Sequence, residues 1–144
     1  MKIQSLGHVV LNVRNIEKAE AFYQGILGLP IAARMAEPEM TFFSLGNHHD
    51  FAIAAVGDDA DSAPQNTPGL AHVAFKIGDA SDDLRAAQTI LDEAGIKTTP
   101  VDHEVTQSLY MNDPDGNTVE VYVDVSDAWK AEPARVAQAR PLSL

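Results

Sequence analysis

The sequence repeats itself once, and the repeat constrains what it can fold into. Gly7-His8-Val9-Val10-Leu11-Asn12-Val13 opens the first half, and Ala71-His72-Val73-Ala74-Phe75-Lys76-Ile77 opens the second. Each reads as a short strand with a histidine at its start, followed by a helix-like stretch ending in Gly-Leu or Gly-Ile. Internal self-similarity of this kind marks two copies of one supersecondary unit. It places His8 and His72 at equivalent points of equivalent modules, and a carboxylate, Glu120, sits late in the second. Two histidines and one carboxylate are the ligand set of a mononuclear iron or related metal site.

The local pattern fills in each module. Residues 3–13 read as the first strand. Asn15 is a candidate N-cap for a helix over residues 16–27, because Ile16, Ala19, Phe22, Tyr23 and Ile26 recur at helical spacing. Gly28 ends it and Pro30 prevents its resumption. Strands are expected at 31–35, 40–45 and 51–56, with a turn at Gly46-Asn47. Residues 58–69 are rich in Asp, Ser, Pro, Asn and Gly and read as an exposed connector. In the second module a strand at 72–77 precedes a helix capped by Ser81. Its stripe is Leu84, Ala87, Ile90, Leu91 and Ala94, and Gly95 stops it. Strands at 97–101, 107–111 and 118–123 follow, the last two joined by the turn sequence Asp113-Pro114-Asp115-Gly116-Asn117.

A βα step followed by antiparallel hairpins argues for an α+β class. The expected architecture is two βαβββ modules, residues 3–57 and 70–125, related by pseudo-twofold symmetry. They would form one domain over residues 1–144, with a curved eight-stranded sheet around a metal-binding cup. His8 and His72 would face one another across that cup. A partly helical arm, residues 126–144, carries Trp129. Two four-stranded sheets leave edges that proteins normally cover. A homodimer is therefore expected, with the arm covering an edge of its own module or of a partner.

Composition narrows the function classes. The net charge of −11 argues against nucleic acid, whose phosphates need Lys and Arg. The acidic runs, such as Asp58-Asp59-Ala60-Asp61, read as solvated loops and helix starts. No apolar run is long enough to span a membrane. The start has no signal-peptide pattern, so a cytoplasmic location is expected. With no cysteine in the chain, a metal site would have to use nitrogen and oxygen ligands.

The candidate site residues each have a bland alternative. A lone histidine at a strand start is usually a surface or satisfied core residue. The repeat-equivalent pair carries more weight than either member. On the last strand Thr118, Glu120 and Tyr122 share one face, which is either solvent-exposed or turned to the cup. Iron(II), manganese, zinc or nickel would accept these ligands. His48-His49-Asp50 sits at a hairpin, where strand alternation would admit only one histidine to the cup. Aligning Gly46-Asn47 with Gly116-Asn117 sets Asp50 opposite Glu120, within a residue or two, and makes Asp50 a candidate fourth ligand. Tyr110 lies across the hairpin from Glu120 and reads either as a site residue or as a half-buried aromatic. His103 precedes it. Phe42, Phe43, Phe51 and Met111 are candidate apolar walls.

With these residues in hand, the chain resembles the vicinal oxygen chelate superfamily over residues 3–125. Asn47-His48-His49-Asp50-Phe51-Ala52, Asp102-His103 with Ser108-Leu109-Tyr110, and the segment from Asp113 to Tyr122 resemble its extradiol, catechol 2,3-dioxygenase-type branch. The resemblance implies Fe(II) held by His8, His72 and Glu120. It implies acid–base catalysis by one histidine of the His48-His49 pair, His49 by preference. Tyr110 would hydrogen-bond a substrate oxygen and His103 would line the substrate side. The implied partners are a small aromatic diol and O2. On the same scaffold the alternatives are a glyoxalase-like lyase, a fosfomycin-type thiol transferase and a non-catalytic drug-binding resistance protein.

Overall fold

The computed structural model describes residues 1–62, 64 and 67–144. They fall into two compact units, residues 1–64 and 65–144. The first contains β1 (Val9–Val13), α1 (Ile16–Glu20), β2 (Ile31–Met35), β3 (Met40–Phe43) and β4 (Phe51–Ala55). Its sheet runs β1-β4-β3-β2, with β1 parallel to β4. The second contains β5 (Val73–Gly78), α2 (Ser81–Glu93), β6 (Thr99–Asp102), β7 (Thr106–Asn112), β8 (Thr118–Asp124) and β9 (Arg140–Pro141). Its sheet runs β5-β8-β7-β6-β9, with β5 parallel to β8. The βαβββ path occurs twice and the class is α+β. Instead of eight strands there are sheets of four and five, because the arm adds β9 to the free edge of β6. The arm thus covers an edge of its own unit. Two 3-10 turns, Ala128–Lys130 and Pro133–Ala137, precede β9. Part of the expected connector, residues 63, 65 and 66, lies outside the described residues.

The first strand starts at Val9, not at residue 3. Its partner β4 begins at Phe51, which pairs with Val9, so residues 3–8 have no strand to bond. The expected helix over 16–27 changes character halfway. After α1 the segment Ala21–Ile26 is π-helical, and Leu27 N–H reaches back five residues to Phe22 C=O at 3.0 Å. Phe22 and Tyr23 are adjacent and both buried. A wider turn lets two neighbouring aromatics face the sheet together. Tyr23 then packs 4.8 Å from the Phe51 ring and 6.2 Å from Phe43. Gly28, at φ 76°, closes the turn.

Asn15 caps α1 as expected, its Oδ1 accepting from Lys18 N–H at 3.0 Å. Ser81 does not cap α2. It is the first helical residue, and its hydroxyl donates to Gln107 Oε1 at 2.6 Å. The cap group is the Asp83 carboxylate, which accepts from Ala80 N–H at 3.2 Å. Gly78 makes room for it, since a Cβ there would lie 2.2 Å from Asp83 Oδ2. Of the α2 stripe, Leu84 and Leu91 reach the core, while Ile90 stays 54% exposed.

Register in the second sheet follows from β8. Val119, Val121 and Val123 are buried, and burying each contributes roughly 1.5–3 kcal/mol. A one-residue slip would exchange them for Glu120 and Tyr122. The turn before β8 is pinned by Asp113, whose Oδ1 accepts from Asp115 N–H at 2.9 Å and Asn117 N–H at 2.8 Å.

In the first unit, Glu20 ties helix to sheet. Arg34 donates to its two oxygens at 2.8 and 2.9 Å, and the fully buried Thr41 hydroxyl donates to it as well. The Arg34 hydrogen bonds hold the Glu20 carboxyl below the usual range against the opposing effect of burial, with Thr41 and the Arg34 charge adding to them. A lowered folded pKa means that the unfolded chain protonates first as pH falls. This stabilisation is complete above the unfolded value of about 4.3, and it is lost as pH drops through the folded value. Glu20→Gln should therefore unfold earlier in urea at pH 7 than the parent, with the gap narrowing toward pH 3. Thr41→Val should cost about 1 kcal/mol at pH 7. Equal midpoint differences at the two pH values would contradict the linkage.

Candidate active site

Ladder geometry brings the second unit's site residues together. Tyr110 and Glu120 are direct cross-strand partners on β7 and β8, and Ala74 of β5 flanks Glu120 on the other side. His72 immediately precedes β5. Its Nε2 lies 3.2 Å from Glu120 Oε2, and its ring meets Tyr110 edge-on at 5.5 Å. Glu120 is only 6% exposed. A buried carboxylate needs partners, and Ser108 Oγ–H donates to its Oε1 at 2.5 Å. The other oxygen, Oε2, is left facing His72. Ser108, part of the Ser108-Leu109-Tyr110 motif but not among the expected site residues, shares a strand face with Tyr110 by period two.

The donor set fits a divalent cation. Two ligand atoms bound at about 2.1 Å and at right angles lie about 3 Å apart, close to the 3.2 Å between His72 and Glu120. Ser108 acts as an outer partner that orients the carboxylate, a feature that metal ligands usually have.

Tyr110 and His103 form a short hydrogen-bonded chain. His103 Nδ1 is 2.7 Å from Gln138 C=O, and its Nε2 is 3.0 Å from Tyr110 Oη. A carbonyl can only accept, so Nδ1 carries a proton. A neutral His103 then accepts the Tyr110 O–H at Nε2. A cationic His103 donates there instead and frees the Tyr110 proton for another acceptor. Burial, then the Glu120 charge and its hydrogen bond, push the Tyr110 hydroxyl up to about 12. The phenol is therefore a proton donor, not a phenolate, at neutral pH.

In the first unit His8, His48 and His49 converge, with ring nitrogens within 4.8 Å of one another. The His8 and His49 rings are 4.1 Å apart, and His48 Nδ1 is 2.8 Å from His49 Nδ1. Strand alternation does not separate the two neighbours, because residues 44–50 form an irregular turn with Gly46 at φ 130°. Burial, then the charges of His8 and His48, lower the His49 pKa, opposed by Asp50. Phe42 stands edge-on to His49 at 5.3 Å. Phe43, Phe51 and Met111 are core residues, exposed 4% or less.

Asp50 is not the counterpart of Glu120. Its Oδ2 accepts from Leu45 N–H at 2.6 Å, holding its own turn. The ladders give the true equivalence: Val10 pairs with Ala52 as Ala74 pairs with Glu120. Ala52 occupies the carboxylate position in the first unit, which leaves Glu120 without a repeat mate.

Comparison with known proteins gives a consistent picture. A family model described as the Glyoxalase/Bleomycin resistance protein/Dioxygenase superfamily matches residues 5–121. Biphenyl-2,3-diol 1,2-dioxygenase 3 of Rhodococcus globerulus is 33% identical over 122 residues, covering 83% of this chain and 63% of the relative. The chain thus spans less than two thirds of that dioxygenase. Lactoylglutathione lyase of Neisseria meningitidis is 28% identical over 122 residues, covering 78% of this chain and 86% of the lyase. A solved glyoxylase/bleomycin resistance protein/dioxygenase domain from Frankia sp. EAN1pec has a TM-score of 0.72 at 21% identity, covering 86% of this chain and 100% of that one. This last likeness is one of fold.

Proposed function

The chain belongs to the glyoxalase/bleomycin resistance protein/dioxygenase superfamily, and from that premise we propose that it is an Fe(II)-dependent extradiol dioxygenase. Its substrate is a catechol-type aromatic, cleaved with O2. His8, His72 and Glu120 are the proposed ligands. His49 is the acid–base catalyst, with His48 beside it. Tyr110 hydrogen-bonds a substrate oxygen, and His103 holds the Tyr110 hydroxyl. The observation that supports the reading is the buried, Ser108-anchored Glu120, which turns its second carboxylate oxygen toward His72 at 3.2 Å, with the Tyr110 phenol alongside.

When bound, iron would lower the pKa of a coordinated hydroxyl and supply the redox path to oxygen. The protein's own residues handle protons and orientation. A neutral His49 takes a proton from the second hydroxyl and returns one as the ring opens. Tyr110, held protonated, donates to a developing oxyanion. The overall reaction balances without a further reductant: the ring bond beside the diol breaks, both atoms of O2 enter the product, and a semialdehyde with a carboxylate results.

One relative, the lactoylglutathione lyase, supports a second reading: a lyase with no redox step. Such an enzyme would need a fourth protein ligand. Asp50 is engaged in its own turn and Ala52 stands at the repeat position of Glu120, so neither favours it. The deciding experiment is anaerobic reconstitution with Fe(II), followed by O2 uptake against a panel of catechols. Stoichiometric uptake with a yellow ring-opened product is expected. Oxygen-independent turnover of a non-aromatic substrate, with no uptake from any catechol, would overturn the dioxygenase reading. A homodimer remains part of the proposal, and light scattering at micromolar concentration checks it. A cytoplasmic location is likewise proposed. Among the described residues no helix is long and apolar enough to cross a membrane.

A further inference from the structure

Of the five histidines, His72 and His103 lie in the second unit, and the other three meet in the first. His8, His48 and His49 each offer one ring nitrogen, and these lie within 4.8 Å of one another. The ring centroids of His8 and His49 are 4.1 Å apart, those of His48 and His49 4.6 Å, and those of His8 and His48 6.1 Å. The backbone around the trio is pinned. Val9 N–H bonds Asp50 C=O at 3.1 Å, and Asn47 Nδ2 donates to Gly7 C=O at 3.3 Å. The segment before β1 is thus tied to the 44–50 turn on either side of the histidines. Within the turn, His48 N–H bonds Asn47 Oδ1 at 2.8 Å, and the Ser44 hydroxyl donates to Asn47 C=O.

The donors are all nitrogen. Asp50 is the carboxylate next in sequence, but its Oδ2 accepts from Leu45 N–H at 2.6 Å and from Asn47 N–H at 3.4 Å. A three-imidazole set favours ions at the strong end of the divalent series, such as zinc, nickel and copper, over iron(II) and manganese. Nitrogens bound at about 2.0–2.1 Å to a tetrahedral ion lie roughly 3.3 Å apart. His48 Nδ1 and His49 Nδ1 are already 2.8 Å apart. His8 and His48 are exposed, so their rings can turn onto an ion at little packing cost. Phe42 stands edge-on to His49 at 5.3 Å. The exposed side leaves a position for water, as in an open zinc site.

We infer that His8, His48 and His49 form a further transition-metal site, complete within the first unit, that prefers Zn(II) to Fe(II). It shares His8 with the proposed iron set, so the two sites compete. Zinc there takes one iron ligand and the lone pair of the proposed base, and it stops turnover; this consequence rests on the ring-cleavage reading. The zinc site itself does not.

Glu120→Gln separates the two sites, because it removes a ligand of the proposed iron set and lies outside the first unit. Metal-free parent and Glu120→Gln protein would be titrated with Zn(II) alone, by calorimetry and by metal analysis after gel filtration. Glu120→Gln is expected to retain one zinc per chain. Adding His48→Ala to it should weaken zinc binding by at least 10-fold, since loss even of an outer-shell partner costs about 10–100-fold. The ring ¹⁵N shifts of the histidines read the site directly, and they serve if His48→Ala fails to fold by circular dichroism. In Glu120→Gln, zinc should move those of His8, His48 and His49 and leave those of His72 and His103 in place. No zinc retained by Glu120→Gln, or zinc binding indifferent to His48→Ala, would overturn the three-histidine site and leave the iron set standing. Zinc retained by Glu120→Gln, with no oxygen uptake from any catechol by the iron-loaded parent, would support the site and count against ring cleavage.

Discussion

Glu120→Gln should give a folded protein that no longer retains iron and takes up no oxygen with any catechol. The substitution keeps the shape of the side chain and an acceptor for Ser108 Oγ–H, which now bonds Glu120 Oε1 at 2.5 Å. What disappears is the negative charge and the second carboxylate oxygen, the one 3.2 Å from His72 Nε2. An amide nitrogen there cannot bind a cation. Loss of an outer-shell partner typically costs 10–100-fold in metal affinity, and loss of a charged ligand should exceed that. Thermal unfolding should change by no more than about 1 kcal/mol, because no hydrophobic contact is removed and the Ser108 bond persists. Metal analysis after reconstitution and gel filtration is the first measurement, and oxygen-electrode traces are the second. Ser108→Ala provides the graded comparison, with weakened but detectable iron binding. Full iron occupancy in Glu120→Gln would remove Glu120 from the ligand set.

Much of this arrangement was legible before any coordinates. The Asp113–Asn117 hairpin between the two expected strands leads to the β7–β8 ladder and to the cross-strand pairing of Tyr110 with Glu120, whereas the parallel pairing of β5 with β8 has no signal in the local pattern. Strong local signals, such as Asn15 and the Asp113–Asn117 turn, gave the right structure because each is decided by bonds within a few residues. The misassignment of Asp50 has a definite cause. The β3–β4 connection runs from 44 to 50, seven residues, whereas the β7–β8 connection runs from 113 to 117, five residues. Matching the two Gly-Asn pairs ignored that difference of two, and two residues is the distance from Asp50 to Ala52. The strand β9 was not visible because a two-residue strand carries no periodicity; backbone pairing with β6 creates it. The π-helical segment was missed for a related reason. The spacing of Phe22 and Tyr23 is read as helical whichever turn is used, and only packing against Phe43 and Phe51 selects the wider one. Ser108 enters the sequence reading only as part of the Ser108-Leu109-Tyr110 motif, because its role depends on the buried carboxylate beside it needing a donor.

His49→Ala should bind Fe(II) and substrate as the parent does and lose about 10²–10⁴-fold in kcat, the usual contribution of a positioned acid–base group. The histidine sits with its ring 4.1 Å from that of His8, close to a proposed ligand without being counted among the three. Its lowered pKa, caused first by burial, keeps it neutral and able to accept a proton. His48 shares a hydrogen bond with it at 2.8 Å, so His48→Ala separates support from catalysis. A smaller rate loss is expected there, because His49 keeps its place beside His8 and Phe42. Tyr110→Phe should also lose less than His49→Ala, since one hydrogen bond to a charged group is worth roughly 1.5–3 kcal/mol and no proton transfer is removed. The measurements are iron content, anaerobic substrate binding and single-turnover rates after mixing with oxygen-saturated buffer. The ordering is the informative result: iron binding intact in all three variants, with the largest rate loss at His49. Should His49→Ala turn over at the parental rate while His48→Ala does not, the acid–base role moves to His48. If neither changes the rate, proton transfer in this protein does not run through the 48–49 turn, and the lyase reading, in which oxygen plays no part, gains the ground that ring cleavage loses.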